Sequence, residues 1–308
     1  MNQSRLSPQH QLIRSVVLLM CLSTLLITCL RVIGHGFFPI DDALRHVAKV
    51  LSGKSWADIL IIRPEITMDS HPGWHIILSA FQTLTKCDKT VLLNFSVMFL
   101  FLVFTVPPVF YFRRGEAWIA SISLSAVFFF GSIYRLFYGR PYIISMALIL
   151  LFCFLWDKIR DKNKPWNELI ALSAMTALAT WIHGAWYLLA LPLVALALAR
   201  HWRVFGLMSG AMFLGVLCGA MLTGSPLVFL HQMIFHALEA FGKNDFARQL
   251  VGEFQPFAGE ALVFFVIGGF LLWRKAHTSS GSPGNGTSCC YRRGQWSRVH
   301  FGGQVFGP

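Results

Sequence analysis

Two adjacent acids, Asp41 and Asp42, stand where the chain leaves its first long apolar run, Ser15 to Ile33, in the stretch Gly34-His35-Gly36-Phe37-Phe38-Pro39-Ile40-Asp41-Asp42-Ala43-Leu44-Arg45-His46. Ionisable groups close to hydrocarbon are costly and are generally kept for function. A single acid at a helix start is explained by capping of free N–H groups. Capping gives no reason for a second, so we read Asp41 and Asp42 as the chemical centre of the chain.

Other residues fall at the same depth. Arg140-Pro141-Tyr142 heads a later apolar run, with Arg135 five residues earlier. Interfacial arginines commonly snorkel to the headgroups, but these two lie on the side that disfavours arginine, and a guanidinium fork matches an anionic ligand such as a lipid phosphate. His183 sits in the tight turn Trp181-Ile182-His183-Gly184-Ala185-Trp186-Tyr187, whose aromatic residues suit an interfacial belt. His71 and His75 are candidate ligands or proton carriers. The Pro72-Gly73 between them argues against one helix carrying both and makes a histidine metal site a weak signal. His231 and His236 lie on an amphipathic outward segment, 227–241, that shows no motif but could cover the first loop. There is no phosphate-cradling glycine loop, nucleophile elbow or zinc-protease helix.

The elements that must position these groups follow from composition. Of 308 residues 55% are hydrophobic and 13% charged, far from the roughly 25% charged of soluble domains, so the chain is a polytopic, all-α membrane protein. Apolar runs of about 20 residues, the length that crosses hydrocarbon, are expected near 15–33, 91–112, 117–134, 141–156, 167–182, 184–199, 204–223 and 260–273, about eight spans in all. A shorter stretch, 73–84, is a candidate re-entrant or half helix. The net charge of +12 arises from short basic clusters between runs, which the positive-inside rule explains better than nucleic-acid binding does. With residues 1–14 cytoplasmic as the start of a retained signal anchor, Arg113-Arg114, the cluster Lys158 to Lys164, Arg200 with Arg203, and Arg274-Lys275 all fall inside. Most acids then fall outside, on two long outer loops, about 34–90 and 224–259.

After Asp42, a helix with Leu44, Val47, Ala48 and Leu51 on one face should lie flat on the membrane and end at Gly53. The stretch 56–62 offers a second interfacial piece, broken at Arg63-Pro64-Glu65. No ionisable residue falls mid-span, which disfavours a proton-coupled transporter. The seven cysteines show neither zinc spacing nor a disulfide framework. Residues 277–308 have linker composition and no apolar periodicity, and are expected to be a disordered or non-native tail.

With these residues in view, the chain over about 15–273 resembles the polytopic GT-C superfamily of glycosyltransferases, which use polyprenyl-phosphate sugars. The likeness rests on a first span with a cytoplasmic N-terminus, Pro39-Ile40-Asp41-Asp42 opening a long outer loop with interfacial helices, and Arg140-Pro141-Tyr142 at the head of a middle span. It implies a transferase domain over 15–276 in the inner, plasma membrane with its active face extracytoplasmic. It implies a polyprenyl-phosphate-linked sugar donor, a cell-envelope glycan, glycolipid or protein acceptor, contact with membrane lipids, and no nucleic acid. Asp41 or Asp42 would take the acceptor's proton, and Arg140, Arg135, His183, His71 and Arg63 would bind substrate. No cofactor is certain; the acid pair offers oxygen ligands that a divalent cation, Mg or Mn, could take. Many members continue into further spans or an outer domain, so the resemblance implies a C-terminally truncated chain. Two readings from other classes stand beside it, a lipid or glycolipid transporter and a membrane scaffold subunit.

Overall fold

The computed structural model describes residues 8–34, 42–59, 67–111, 115–128 and 135–241. The chain divides into two units, Met1–Phe254 and Gln255–Pro308, and every described residue belongs to the first. Asp41, Arg63, the expected run at 260–273 and the tail 277–308 lie outside the described residues.

The described residues are helical, with short connections. Helix α1 is Pro8–Gly34, α2 Asp42–Ser52, α3 Trp56–Ile59, α4 Pro72–Thr85, α5 Lys89–Tyr111 and α6 Gly115–Phe128. A 3-10 turn, Arg135–Phe137, leads into α7 Tyr142–Asp161 and α8 Trp166–Ile182. A second, Trp186–Leu189, leads into α9 Ala190–Leu198, followed by α10 Trp202–Met221 and α11 Pro226–Phe241.

Four of these helices are long and apolar enough to cross a membrane: α1 over Gln11–Leu30, α5, α7 and α10. The expectation of about eight spans is thereby corrected to four among the described residues. The described part of the 117–134 run is α6, of 14 residues. Helix α8 has 17 residues, about 26 Å at 1.5 Å per residue, short of roughly 30 Å of hydrocarbon. The 184–199 run is divided, because the 3-10 turn interrupts it and leaves α9 with nine residues. Apolar continuity does not register a turn made of apolar residues.

Helix α5 is the central element, with half of its apolar window buried, whereas only 18% of α1's is. Leu19, Met20, Leu26, Ile27 and Leu30 of α1 stay exposed, as suits a helix whose outer face meets lipid. The starts and stops are chemically ordinary. Asp88 caps α5, its Oδ1 accepting from the Val91 N–H at 2.8 Å, and Pro72 opens α4, a position where its missing N–H costs nothing. Pro72-Gly73 therefore begins a helix where the sequence suggested a break.

Two basic connections meet at one end of the bundle. Arg203, at the start of α10, donates to the carbonyls of Arg160, Lys162 and Asn163 at 3.3, 2.8 and 3.2 Å. The opposite ends of α7 and α8, at Tyr142 and Ile182, lead to the polar residues singled out above.

Candidate functional site

The site starts from the contact between α2 and the segment before α7. The Ala43 N–H donates to the Tyr138 carbonyl at 3.1 Å. Gly139 makes this approach possible: its φ is +65°, and a Cβ there would lie 2.5 Å from the Ala43 Cβ. Arg140 follows at once and is thereby placed beside Asp42 as an ion pair, its Nε 3.0 Å from Oδ2, with 12% of its side chain exposed against 29% for Asp42. Arg45 lies 3.4 Å from the other Asp42 oxygen, and the Arg140 guanidinium stands over the Tyr138 ring at 5.2 Å. Asp42 is thus paired with two arginines.

The same helix turns its His46 face inward. The buried residues of α2 are Ala43, His46 and Val47, whereas Leu44 and Leu51 are 41% and 43% exposed. Of the apolar stripe Leu44, Val47, Ala48 and Leu51, Val47 is buried and the other three are exposed. Exposed leucines cost little on a helix that borders lipid, and the inward face carries the one residue that can bond to the neighbouring helix, His46.

Opposite α2, the first turn of α4 packs against the end of α8, so closely that a Cβ on Gly73 would stand 2.5 Å from the Trp181 ring. This brings His71, His75 and His183 together. His46 Nδ1 and His75 Nε2 are 2.9 Å apart, and His75 Nδ1 donates to the Asp69 carboxylate, whose other oxygen accepts from the His71 N–H at 2.8 Å. The His71 ring lies 5.0 Å from that of His46 and 5.4 Å from that of His183. His183 Nδ1 is 3.0 Å from the Ser145 hydroxyl of α7.

The segment carrying Asp69 is held from two sides. Gln232 of α11 accepts from the N–H groups of Thr67 and Met68 at 3.1 and 2.9 Å and donates to the Met68 carbonyl at 2.7 Å. The Gly184 N–H donates to the Ser70 carbonyl at 3.1 Å.

Burial pushes the His46 pKa well below the ordinary imidazole value, helped by the charges of His71, His75, His183 and Arg45. Burial, with His71, does the same to His183. Burial raises Asp69, but the hydrogen bond and charge of His75 and the His71 N–H outweigh it and leave the carboxyl below its usual range. The histidines border one cavity of about 1150 Å³, lined among others by Asp42, Arg45, His46, His71, His75, Arg140, Tyr142 and His183.

Of the residues expected at the site, Asp42, Arg140, His71 and His183 therefore share one cavity. The backbone of Arg135 opens the 3-10 turn before it, while Asp41 and Arg63 lie outside the described residues. Sequence reasoning missed His46, Asp69 and Gln232. His46 carried a signal, since it follows Asp42 by four residues and shares its helical face. Among the described residues no group of three or more His, Cys, Asp or Glu side chains is arranged to hold a metal ion.

No family model matches the chain, and neither a curated protein nor a solved structure matches it. The fold itself defines the class: an all-α, multi-span membrane protein with a polar, histidine-rich cavity at one end of its bundle.

Proposed function

We propose that the protein is a membrane glycosyltransferase that moves a sugar from a polyprenyl-phosphate donor to a glycan, glycolipid or protein acceptor on the extracytoplasmic face of the plasma membrane. The observation that carries this reading is Arg140, a guanidinium held nearly buried in a cavity large enough for a sugar phosphate, at the end of a membrane bundle. In glycosyl transfer from a phospholipid sugar the departing phosphate gathers negative charge, and a pre-positioned guanidinium stabilises it.

In this reading Asp42 is the counter-ion that keeps Arg140 aimed in the empty site. The donor phosphate then competes with that carboxylate for the guanidinium. Supporting the orientation, the basic connections around Arg160 and Arg203 gather at the bundle end opposite the cavity; the positive-inside rule assigns that end to the cytoplasm.

Purified protein in lipid vesicles, given radiolabelled polyprenyl-phosphate hexose and pentose donors with envelope lipid acceptors, should transfer label. Binding of polyprenyl phosphate with no transfer from any donor would favour a lipid transporter instead. No binding at all would leave the scaffold reading.

A further inference from the structure

Phosphate handling by Arg140 and Asp42 leaves the histidine side of the cavity wall without a task. Three groups there form a chain, Asp69 to His75 to His46, with both rings buried, at 8% and 7% exposure. Such a chain of acid and imidazoles is costly to bury unless every member is bonded.

Its proton positions follow from the chemistry of the groups. A carboxylate only accepts, so His75 carries its hydrogen on Nδ1, toward Asp69. With His75 neutral, its Nε2 offers a lone pair to which His46 donates from Nδ1, across 2.9 Å. This leaves Nε2 of His46, on a ring that lines the cavity, as a lone pair able to receive a proton.

Resting on the transferase reading, we propose that the His46–His75–Asp69 chain is the proton acceptor of the site, with His46 Nε2 as the atom that takes the acceptor hydroxyl's proton. As the acceptor oxygen bonds to the sugar's anomeric carbon, the bond from that carbon to the phosphate oxygen breaks. Its electron pair leaves with the polyprenyl phosphate. The hydroxyl proton passes to His46 Nε2, and the proton on His46 Nδ1 passes to His75 Nε2. The positive charge comes to rest on His75, against the Asp69 carboxylate.

The surroundings favour that resting place. Around His46 the cavity is lined by Asp42, Arg45, Lys49 and Lys54, by His71 and His75 across from it, and by Arg140 and His183, with Asp69 against the other side of His75. Burial and cationic or imidazole neighbours oppose a charge held on His46 itself, whereas His75 has a carboxylate in direct contact. Protonating Asp42 instead would break its ion pairs with Arg140 and Arg45.

The test is the pH dependence of kcat for wild type, His46→Gln, His75→Gln, Asp69→Asn and Asp42→Asn, with His231→Gln, an exposed site on α11, as control. General-base catalysis contributes about 10²–10⁴-fold, so His46→Gln should lose that much in kcat with donor KM unchanged. Asp69→Asn should lose less and displace the acid limb of the profile, a change that a purely structural role would not produce. Wild-type kcat and profile in folded His46→Gln, together with a 10²–10⁴-fold loss in Asp42→Asn, would overturn the chain and leave the transferase reading standing. No transfer by wild type from any polyprenyl-phosphate donor would instead remove the transferase reading, and the chain's role with it. Should His46→Gln fail to fold, NMR of histidine-labelled wild type decides. A deshielded His75 N–H that disappears in Asp69→Asn supports the chain, and its absence from wild type overturns it.

Discussion

Replacing Arg140 with lysine keeps one positive charge and removes the planar fork, which isolates what the guanidinium geometry contributes. Two interactions in the structure depend on that geometry: the ion pair of Nε with Asp42 at 3.0 Å and the position over the Tyr138 ring at 5.2 Å. A hydrogen bond between charged groups is worth about 1.5–3 kcal/mol, and a phosphate that takes Asp42's place against the fork would lose one in the lysine variant. At about 1.4 kcal/mol per decade, Arg140→Lys should lower kcat/KM for the polyprenyl-phosphate donor about 10- to 100-fold. The loss should lie in donor KM, because the charge that stabilises the leaving phosphate is retained. The protein should stay folded, since the backbone bond from Ala43 to the Tyr138 carbonyl that ties this segment to α2 does not involve the Arg140 side chain. The assay is initial transfer rate against donor concentration in vesicles, with thermal unfolding as the control for folding. Donor dependence identical to wild type in folded Arg140→Lys would refute the assignment of the phosphate to Arg140.

Asp42→Asn removes the anion that competes with phosphate for Arg140 while Asn still accepts a hydrogen bond, so donor KM should stay level or fall and kcat should change less than about tenfold; a loss of 10²–10⁴ would mark the acid as the base. Gly139→Ala places a Cβ 2.5 Å from the Ala43 Cβ at a φ of +65° and should destabilise by at least about 1 kcal/mol while weakening donor use, readable together as a lower unfolding midpoint and a higher donor KM. Gln232→Leu strips two N–H groups and a carbonyl of the 67–68 segment of their partner, which should cost about 1–3 kcal/mol and speed hydrogen exchange at Thr67 and Met68. The folded state disfavours charged His46. Stability should therefore be full above the ordinary imidazole value of about 6.5 and should fall as the pH drops toward the depressed folded-state value. The slope should reach about 1.4 kcal/mol per pH unit for that one group. Asp69, held below its usual range, acts only at more acid pH, so thermal midpoints at pH 7.5 and 5.5 isolate the histidine effect, which His46→Gln should reduce.

The sequence alone determined the class of protein and much of the local punctuation. Hydrophobic content and the spacing of basic clusters are sums over many residues, which is why a polytopic helical membrane chain could be read without coordinates. The start of α2 at Asp42, its end at Gly53 with φ +63°, and the common level of Asp42, Arg140 and His183 followed from residue type and order. Only the tertiary structure decided how the 184–199 run is divided, because the 3-10 turn Trp186–Leu189 that interrupts it is made largely of apolar residues. It also decided that His46 shares the inward side of α2 with Ala43 and Val47, where a bond to His75 of α4 is available to it. The pairings were beyond sequence altogether. Gln232 meets Met68 across 164 positions, and His46 meets His75 across 29. Nothing in either local stretch specifies the other, since those bonds exist only once α2, α4 and α11 have packed.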